Sequence, residues 1–299
     1  MKNLSWFNKG MFLLNIVLTV VTFSAYLLPF LAPKAFPLLS VLTLFMPLFF
    51  VFNALFFFYW GVQFKKRMIL SGLVLLMGIT FINKFYKFSA KEFPESEKDF
   101  TVMSYNVRLL NVFKWIDRDD VPSQIVSFIN DKNPDIVCIQ EYSTSADIDL
   151  KVYPYKYILM AGDQIKTGQA IFSKFPIKNS GRIVYTQPSH PESIAYADIE
   201  ISNKTVRIFN THFRSMFLHH NTLSRSVLGD LKYVKEDTNF LFNSNRLERL
   251  EYYDRIHTDQ AEQVIGAFED TKMPFIFCAD LNAVPSSYVY QLLRKNTLD

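Results

Sequence analysis

Hydrophobic positions fall along this chain in two regimes. Over the first third they run almost unbroken, in stretches at about residues 11–32, 36–63 and 68–86. Pro33, Lys34 and Pro37 divide the first stretch from the second, and Lys65, Lys66 and Arg67 divide the second from the third. A helix needs about 20 apolar residues to cross the hydrocarbon core of a bilayer. The first two stretches exceed that length, and the third reaches it by taking in Phe85 and Tyr86. The pattern predicts a transmembrane region of three helices over residues 1–84, a linker over 85–99 and a water-soluble domain over 100–299.

In the soluble part the apolar runs shorten to strand length. Residues 100–107 and 135–140 form two continuous apolar strands, the second ending at Glu141. Between them Ile125, Phe128 and Ile129 recur at helical spacing. Asp119 or Asp120 stands where a cap belongs, Pro122 sits in the first turn, and Asn133-Pro134 stops the helix. Shorter strands are expected at 155–160, 169–173, 182–186, 193–201 and 205–211. A helix follows at 247–268, then a buried strand at 274–278 and a last helix from Pro285 to Leu293. Strands in the middle with helices around them describe an α/β domain of two packed sheets flanked by helices.

Charge sharpens the division. No Asp or Glu precedes Glu92, so the first third cannot be an ordinary solvated surface. The first hundred residues carry ten Lys and Arg against four Asp and Glu, a balance of +6, and the remainder balances at −2. A dedicated nucleic-acid binder usually carries its basic charge on the binding domain, and here that domain is mildly acidic. A cleaved signal peptide does not fit the first stretch, whose apolar core is too long and is followed by two more. Lys2, Lys9, Lys65, Lys66 and Arg67 flank one side of the first two spans, and Lys34 alone flanks the other. By the positive-inside rule the N-terminus is cytoplasmic. Three crossings then place the soluble domain on the periplasmic or extracellular side of an integral membrane protein; Lys84, Lys87 and Lys91 are the contrary signal. Cys138 and Cys278 each lie in an apolar run and read as small buried hydrophobes, a disulfide being open only if their strands are neighbours.

Polar residues stand where several strands end: Asn106, Glu141, His212 and the pair Asp280 and Asn282. Ligands of α/β folds gather at such ends. Phosphoester hydrolysis moves negative charge onto phosphate oxygens, and a hard cation such as magnesium stabilises it through one or two carboxylates and retained waters. An Asp beside an Asn suits orientation of a water next to a held phosphate.

The motifs around these positions resemble those of the endonuclease/exonuclease/phosphatase superfamily, in order, over residues 101–299. Ser104-Tyr105-Asn106-Val107-Arg108 is similar to its first motif and Pro134-Asp135-Ile136-Val137-Cys138-Ile139-Gln140-Glu141 to its second. Gly168-Gln169-Ala170-Ile171-Phe172-Ser173-Lys174-Phe175-Pro176-Ile177, Phe209-Asn210-Thr211-His212, and Asp280-Leu281-Asn282 with Pro285 follow. Arg255 with Gln260-Ala261 resembles the helix before the last motif. The resemblance implies a DNase I-like four-layer α+β sandwich and a metal-dependent phosphoesterase. It implies Glu141 and Asn106 as metal-binding residues and Asp280, Asn282, His212 and Asn106 as catalytic ones. His212, Asn282 and Arg108 would hold the substrate, and Gln140 would support Glu141. The implied cofactor is Mg²⁺, with Mn²⁺ as the alternative. The implied partners are a lipid bilayer and a phosphoester, either a lipid head group or a nucleic acid.

Ala279 and Phe213 replace the Gly and Leu common in the family. The family's closing Ser-Asp-His strand has no counterpart among these residues; His190, His219, His220 and His257 all precede the Asp280 motif. The expectation is a domain incomplete at its C-terminus and slow on bis-p-nitrophenyl phosphate. The readings that compete are a lipid-directed phosphodiesterase, an extracytoplasmic nuclease and a non-catalytic binding protein. The insertion at 215–246, with Met216, Phe217, Leu218, Lys232, Tyr233 and Lys235, is read as a surface loop or a lid.

Overall fold

The computed structural model describes residues 4–81, 99–144, 148, 150–161, 167–186, 193–216 and 244–297. Residues 85–98 of the expected linker, His190, His219, His220 and most of the insertion lie outside the described residues. The chain divides into two compact units, residues 1–93 with 283–299, and residues 94–282.

The first unit holds helices α1 (Trp6–Ala25), α2 (Pro37–Val41), α3 (Met46–Val62) and α4 (Met68–Met77). With their adjoining turns, Trp6–Phe30 and Pro37–Val62 are helical stretches of 25 and 26 residues, long and apolar enough to cross a membrane. Only 28% of each stretch is buried, which is unlike the core helix of a soluble protein. Leu13, Val17, Val20, Leu48, Phe52 and Leu55 all point outward. The expectation of three spans is corrected to two among the described residues. Within the described residues the third stretch reaches only residue 81, as a helix over Met68–Met77 and a further helical turn at 79–81, shorter than the ~20 residues that a crossing needs.

Several polar groups between these helices pair with one another. Asn15 Nδ2 donates to Ser71 Oγ at 2.6 Å and Asn53 Nδ2 to Thr22 Oγ1 at 2.9 Å. At one end of the bundle Tyr59 Oη donates to Asn8 Oδ1 at 2.5 Å, and Asn8 Nδ2 to Gln63 Oε1 at 3.2 Å. These bonds join the start of α1 to the end of α3.

The second unit is a pair of four-stranded sheets in the orders β1-β2-β4-β3 and β5-β6-β7-β8. The strands of the first sheet are β1 (Val102–Asn106), β2 (Ile136–Ser143), β3 (Tyr155–Ala161) and β4 (Thr167–Ser173). Those of the second are β5 (Ile177–Val184), β6 (Ser193–Ile201), β7 (Lys204–His212) and β8 (Phe275–Asp280). Only β1 with β2 and β7 with β8 run parallel. Parallel neighbours need a crossover, supplied by α5 (Val121–Lys132) and α6 (Arg246–Glu269).

Ile136, Cys138 and Ile171 of the first sheet meet Ala195, Ala197, Ile199, Ile208 and Cys278 of the second in a core between the sheets. Both cysteines are free and buried there, and the adjacent Cys278 sulfur together with burial pushes the Cys138 thiol well above its usual range. On the outer face Ile125 and Ile129 of α5 cover Val137, Ile139 and Phe172. Phe268 of α6 stacks on Phe275 at 4.6 Å and meets Phe209 at 5.7 Å. The Asn245 and Glu248 side chains close a capping box at the start of α6.

Four local expectations change. Strand β2 continues through Glu141 to Ser143, and β5 begins at Ile177 rather than Arg182. Asp120 caps α5 with its backbone only, because its carboxylate is engaged by Arg118 and Gln124. Phe128 leaves the apolar stripe and is 44% exposed. Beyond the last motif, Asp280-Leu281-Asn282, α7 (Tyr288–Arg294) belongs to the first unit, where Ser286 Oγ donates to the Thr43 carbonyl at 3.0 Å.

Candidate active site

The two parallel pairs end at one place. Asn106 closes β1 in register with Gln140 of β2, and His212 closes β7 in register with Asp280 of β8. Beside Gln140 the ladder of β2 with β4 slips between Ile139 and Tyr142. Within that bulge Glu141 takes a φ of 50°, a left-handed conformation that costs a glutamate of order 1 kcal/mol. Bulges re-aim side chains near active sites, and this one turns Glu141 toward the strand ends. Asn282 has a φ of 46°, and its N–H donates to Asp280 Oδ1 at 2.9 Å.

One amide organises the carboxylates. Asn106 Nδ2 donates to Glu141 Oε1 at 3.0 Å and to Asp280 Oδ2 at 2.8 Å. Its Oδ1 accepts the Arg108 N–H at 2.8 Å. His212 Nε2 lies 3.3 Å from Glu141 Oε1, 4.0 Å from Asp280 Oδ2 and 3.0 Å from Asn282 Nδ2. Asn282 Nδ2 also donates to the Phe213 carbonyl at 2.8 Å, which fixes the amide plane. Asn106, Glu141, His212, Asp280 and Asn282 are thus brought together, although residues 106 and 280 are 174 positions apart.

Arg108 stands at the rim. Its guanidinium lies 4.6 Å over the Trp115 ring. There Tyr105, Asn106, Arg108, Trp115, Gln124 and Phe128 line part of a cavity of about 450 Å³. Gln140 makes no direct hydrogen bond to Glu141 among the described residues. It is buried, and its Nε2 donates instead to Ser104 Oγ at 3.1 Å and to Asn210 Oδ1 at 2.7 Å. Asn210 lies in β7, two residues before His212. Its Nδ2 donates to the carbonyls of Ile139 and Ala170 at 2.9 and 3.1 Å, so it binds β7 to the other sheet beside the bulge. The signal for it in the sequence is an amide inside an apolar strand.

Two hard carboxylates converging on one amide suit a cation that takes oxygen ligands and keeps its waters. Among the described residues no three His, Cys, Asp or Glu form a metal-holding group. Carboxylate and amide oxygens are hard donors, of the kind that suit a hard divalent cation.

Behind the site His257 is fully buried, with Nε2 at 2.6 Å from the Arg214 carbonyl and Nδ1 without a partner among the described residues. Burial pushes its pKa down to about 4. The unfolded chain therefore takes up this proton near pH 6.5, and the fold does so only near 4. This contribution to stability is complete above about pH 6.5 and is lost as pH falls toward about 4, amounting to roughly 3 kcal/mol. Thermal unfolding of the wild type and His257→Gln checks it. The drop in Tm between about pH 7 and pH 4.5 is smaller in the variant, and equal drops would refute the assignment.

No curated protein sequence matches the chain. Among solved structures it is similar to humanized D. rerio TDP2 at 15% identity, covering 62% of this chain and 62% of that one, with a TM-score of 0.40. It is similar to sphingomyelinase C from Streptomyces griseocarneus at 14%, covering 66% and 69%, TM-score 0.43. A Bacteroides vulgatus endonuclease/exonuclease/phosphatase is similar at 13%, covering 66% and 70%, TM-score 0.46. The chain spans less than two thirds of the TDP2 chain it matches, at 62%. Residues 8–85 match a domain of unknown function (DUF8431). Residues 103–299, more than half of the chain and all five site residues, match the endonuclease/exonuclease/phosphatase family model, and the chain belongs to that family.

Proposed function

We propose that the protein is a magnesium-dependent phosphoesterase anchored in a membrane by its N-terminal helices, with residues 1–84 as anchor, 85–99 as linker and 100–299 as catalytic domain. The observation that carries the reading is the Asn106 amide shared by Glu141 and Asp280. Glu141, with Asn106, would hold the cation. When bound, Mg²⁺ or Mn²⁺ supplies positive charge against the phosphate oxygens. Asp280 accepts the proton of an attacking water and orients it, its own position set by the Asn282 N–H and the Asn106 amide. His212 and Asn282 donate to phosphate oxygens, and Arg108 meets the substrate at the rim.

The acidic domain and the anchor favour a lipid head-group phosphoester. The aromatic cavity beside Asn106, with Arg108 laid on Trp115, favours the second reading, a nucleic-acid phosphodiester, because bases stack on such surfaces. Sphingomyelin, single-stranded DNA and RNA, and inositol phosphates are incubated with the full chain, with Mg²⁺ or with EDTA. Hydrolysis of one class that chelation abolishes and Mg²⁺ or Mn²⁺ restores is expected. Hydrolysis indifferent to EDTA would end the metal-dependent reading.

The side of the membrane depends on the stretch after Arg67. Clustered cations at the Asn8–Gln63 end support a cytoplasmic N-terminus. Alkaline phosphatase fused after residue 100 is active if the domain lies outside, and silent if the two long helices return the chain to the cytoplasmic face.

A further inference from the structure

We propose that the hairpin end carrying Lys65, Lys66 and Arg67 is a binding site for the head group of an anionic phospholipid, an inference that rests on the membrane-anchor reading. Phe12, Phe64, Lys65, Lys66, Arg67 and Leu70 line a cavity of about 590 Å³ in the first unit. The Arg67 guanidinium lies 5.0 Å over the Phe12 ring and 5.6 Å over the Trp60 ring. Trp60 is fully buried, so its ring is a fixed platform. A guanidinium held by its face keeps its N–H edge available for an anion. The Arg67 Nε is buried and has no hydrogen-bond acceptor among the described residues.

The anion is missing from the hairpin itself. Residues 1–91 contain no Asp or Glu, so three successive cations share a cavity without any carboxylate in the helices that form it. Tyr59, Gln63 and Asn8 bring the start of α1 to the same end, which adds Lys9 to the cluster.

The lining chooses among anions. Phe64 is 94% exposed, and with Phe12 and Leu70 it gives the cavity an apolar wall beside its cationic one. A free phosphate would leave that wall wet, whereas a phospholipid brings a phosphate and acyl chains together. A choline head group would set its own cation against three others, which favours phosphatidylglycerol over phosphatidylcholine. Basic clusters beside membrane helices attract anionic lipids by about 1 kcal/mol per residue, or about fivefold in affinity.

The full chain is purified in detergent and titrated with phosphatidylglycerol or phosphatidylcholine, with bound lipid counted by native mass spectrometry. One phosphatidylglycerol binds about tenfold more tightly than phosphatidylcholine. Arg67→Gln and the exposed Lys66→Gln each weaken it about fivefold, and the triple change to Gln at 65, 66 and 67 about a hundredfold. Lys34→Gln, at the far end, leaves it unchanged. Equal binding of the two lipids, indifference to Lys66→Gln, or displacement by inorganic phosphate would each overturn the proposal. Flotation with phosphatidylcholine vesicles separates the failures. A chain that floats without lipid preference loses only this site, and one that stays in the aqueous fraction loses the membrane anchor and the site together.

Discussion

Asp280→Asn lowers kcat for bis-p-nitrophenyl phosphate by about a thousandfold relative to the wild-type chain, with thermal stability changed by less than about 1 kcal/mol. The side chain keeps its size, so an acceptor for the Asn282 N–H survives at the position of Oδ1. What disappears is the charge. An amide cannot take a proton from water, and its nitrogen would face the Asn106 Nδ2 that now donates to Oδ2 at 2.8 Å. The lost hydrogen bond is offset by the removal of one of two carboxylates gathered on a single amide. Activity and stability therefore part company. If the pair were an ordinary structural contact, the two would fall together. Glu141→Gln separates the neighbouring role, because its activity is regained in part by raising the Mg²⁺ concentration, whereas that of Asp280→Asn is not. A loss under about tenfold in Asp280→Asn would remove the proposed base.

Much of this site was legible along the chain because apolar runs advertise strands and polar residues mark where they stop. Asn106, His212 and Asp280 stand at strand ends for that reason. Glu141 resembles a strand end too, yet its strand continues for two residues beyond it. The bulge that turns it depends on the pairing of Ile139 with Ala170 and Tyr142 with Gly168, and no local pattern contains that slip. Nor does the pattern give sheet order: β2 pairs with β4, skipping β3. The helical spacing of Phe128 is real, but Tyr105 meets it edge-on at 5.7 Å at the rim of the cavity instead of the core. The third apolar stretch has the composition of a span, but its described helix, Met68–Met77, is shorter than a crossing needs. Periodicity records which face is apolar, whereas partners distant in sequence decide what that face meets.

The buried amide pair is the clearest product of such distant partners, and breaking it has the second-largest expected effect. Asn210→Leu destabilises the protein by about 3 kcal/mol, a fall in Tm of about 10 °C. Leu branches at the same carbon as Asn and is larger, so no cavity opens, and the loss comes chiefly from polar groups. Gln140 Nε2 loses its acceptor at 2.7 Å and keeps only Ser104 Oγ. The Ile139 and Ala170 carbonyls lose the donor that binds them to the other sheet. Asn210 is wholly buried, so water does not replace it without opening the sheets. The carbonyls freed include that of Ile139, where the ladder slips. Loosening it lets Glu141 relax from its left-handed conformation, so the variant also needs more Mg²⁺ for half-maximal activity. Lys204→Gln, exposed at the start of β7, is the control and changes neither property. A Tm within about 3 °C of the wild type in Asn210→Leu would show that the two sheets hold their relation by apolar packing alone, and that the bulge presenting Glu141 does not depend on the amide pair behind it.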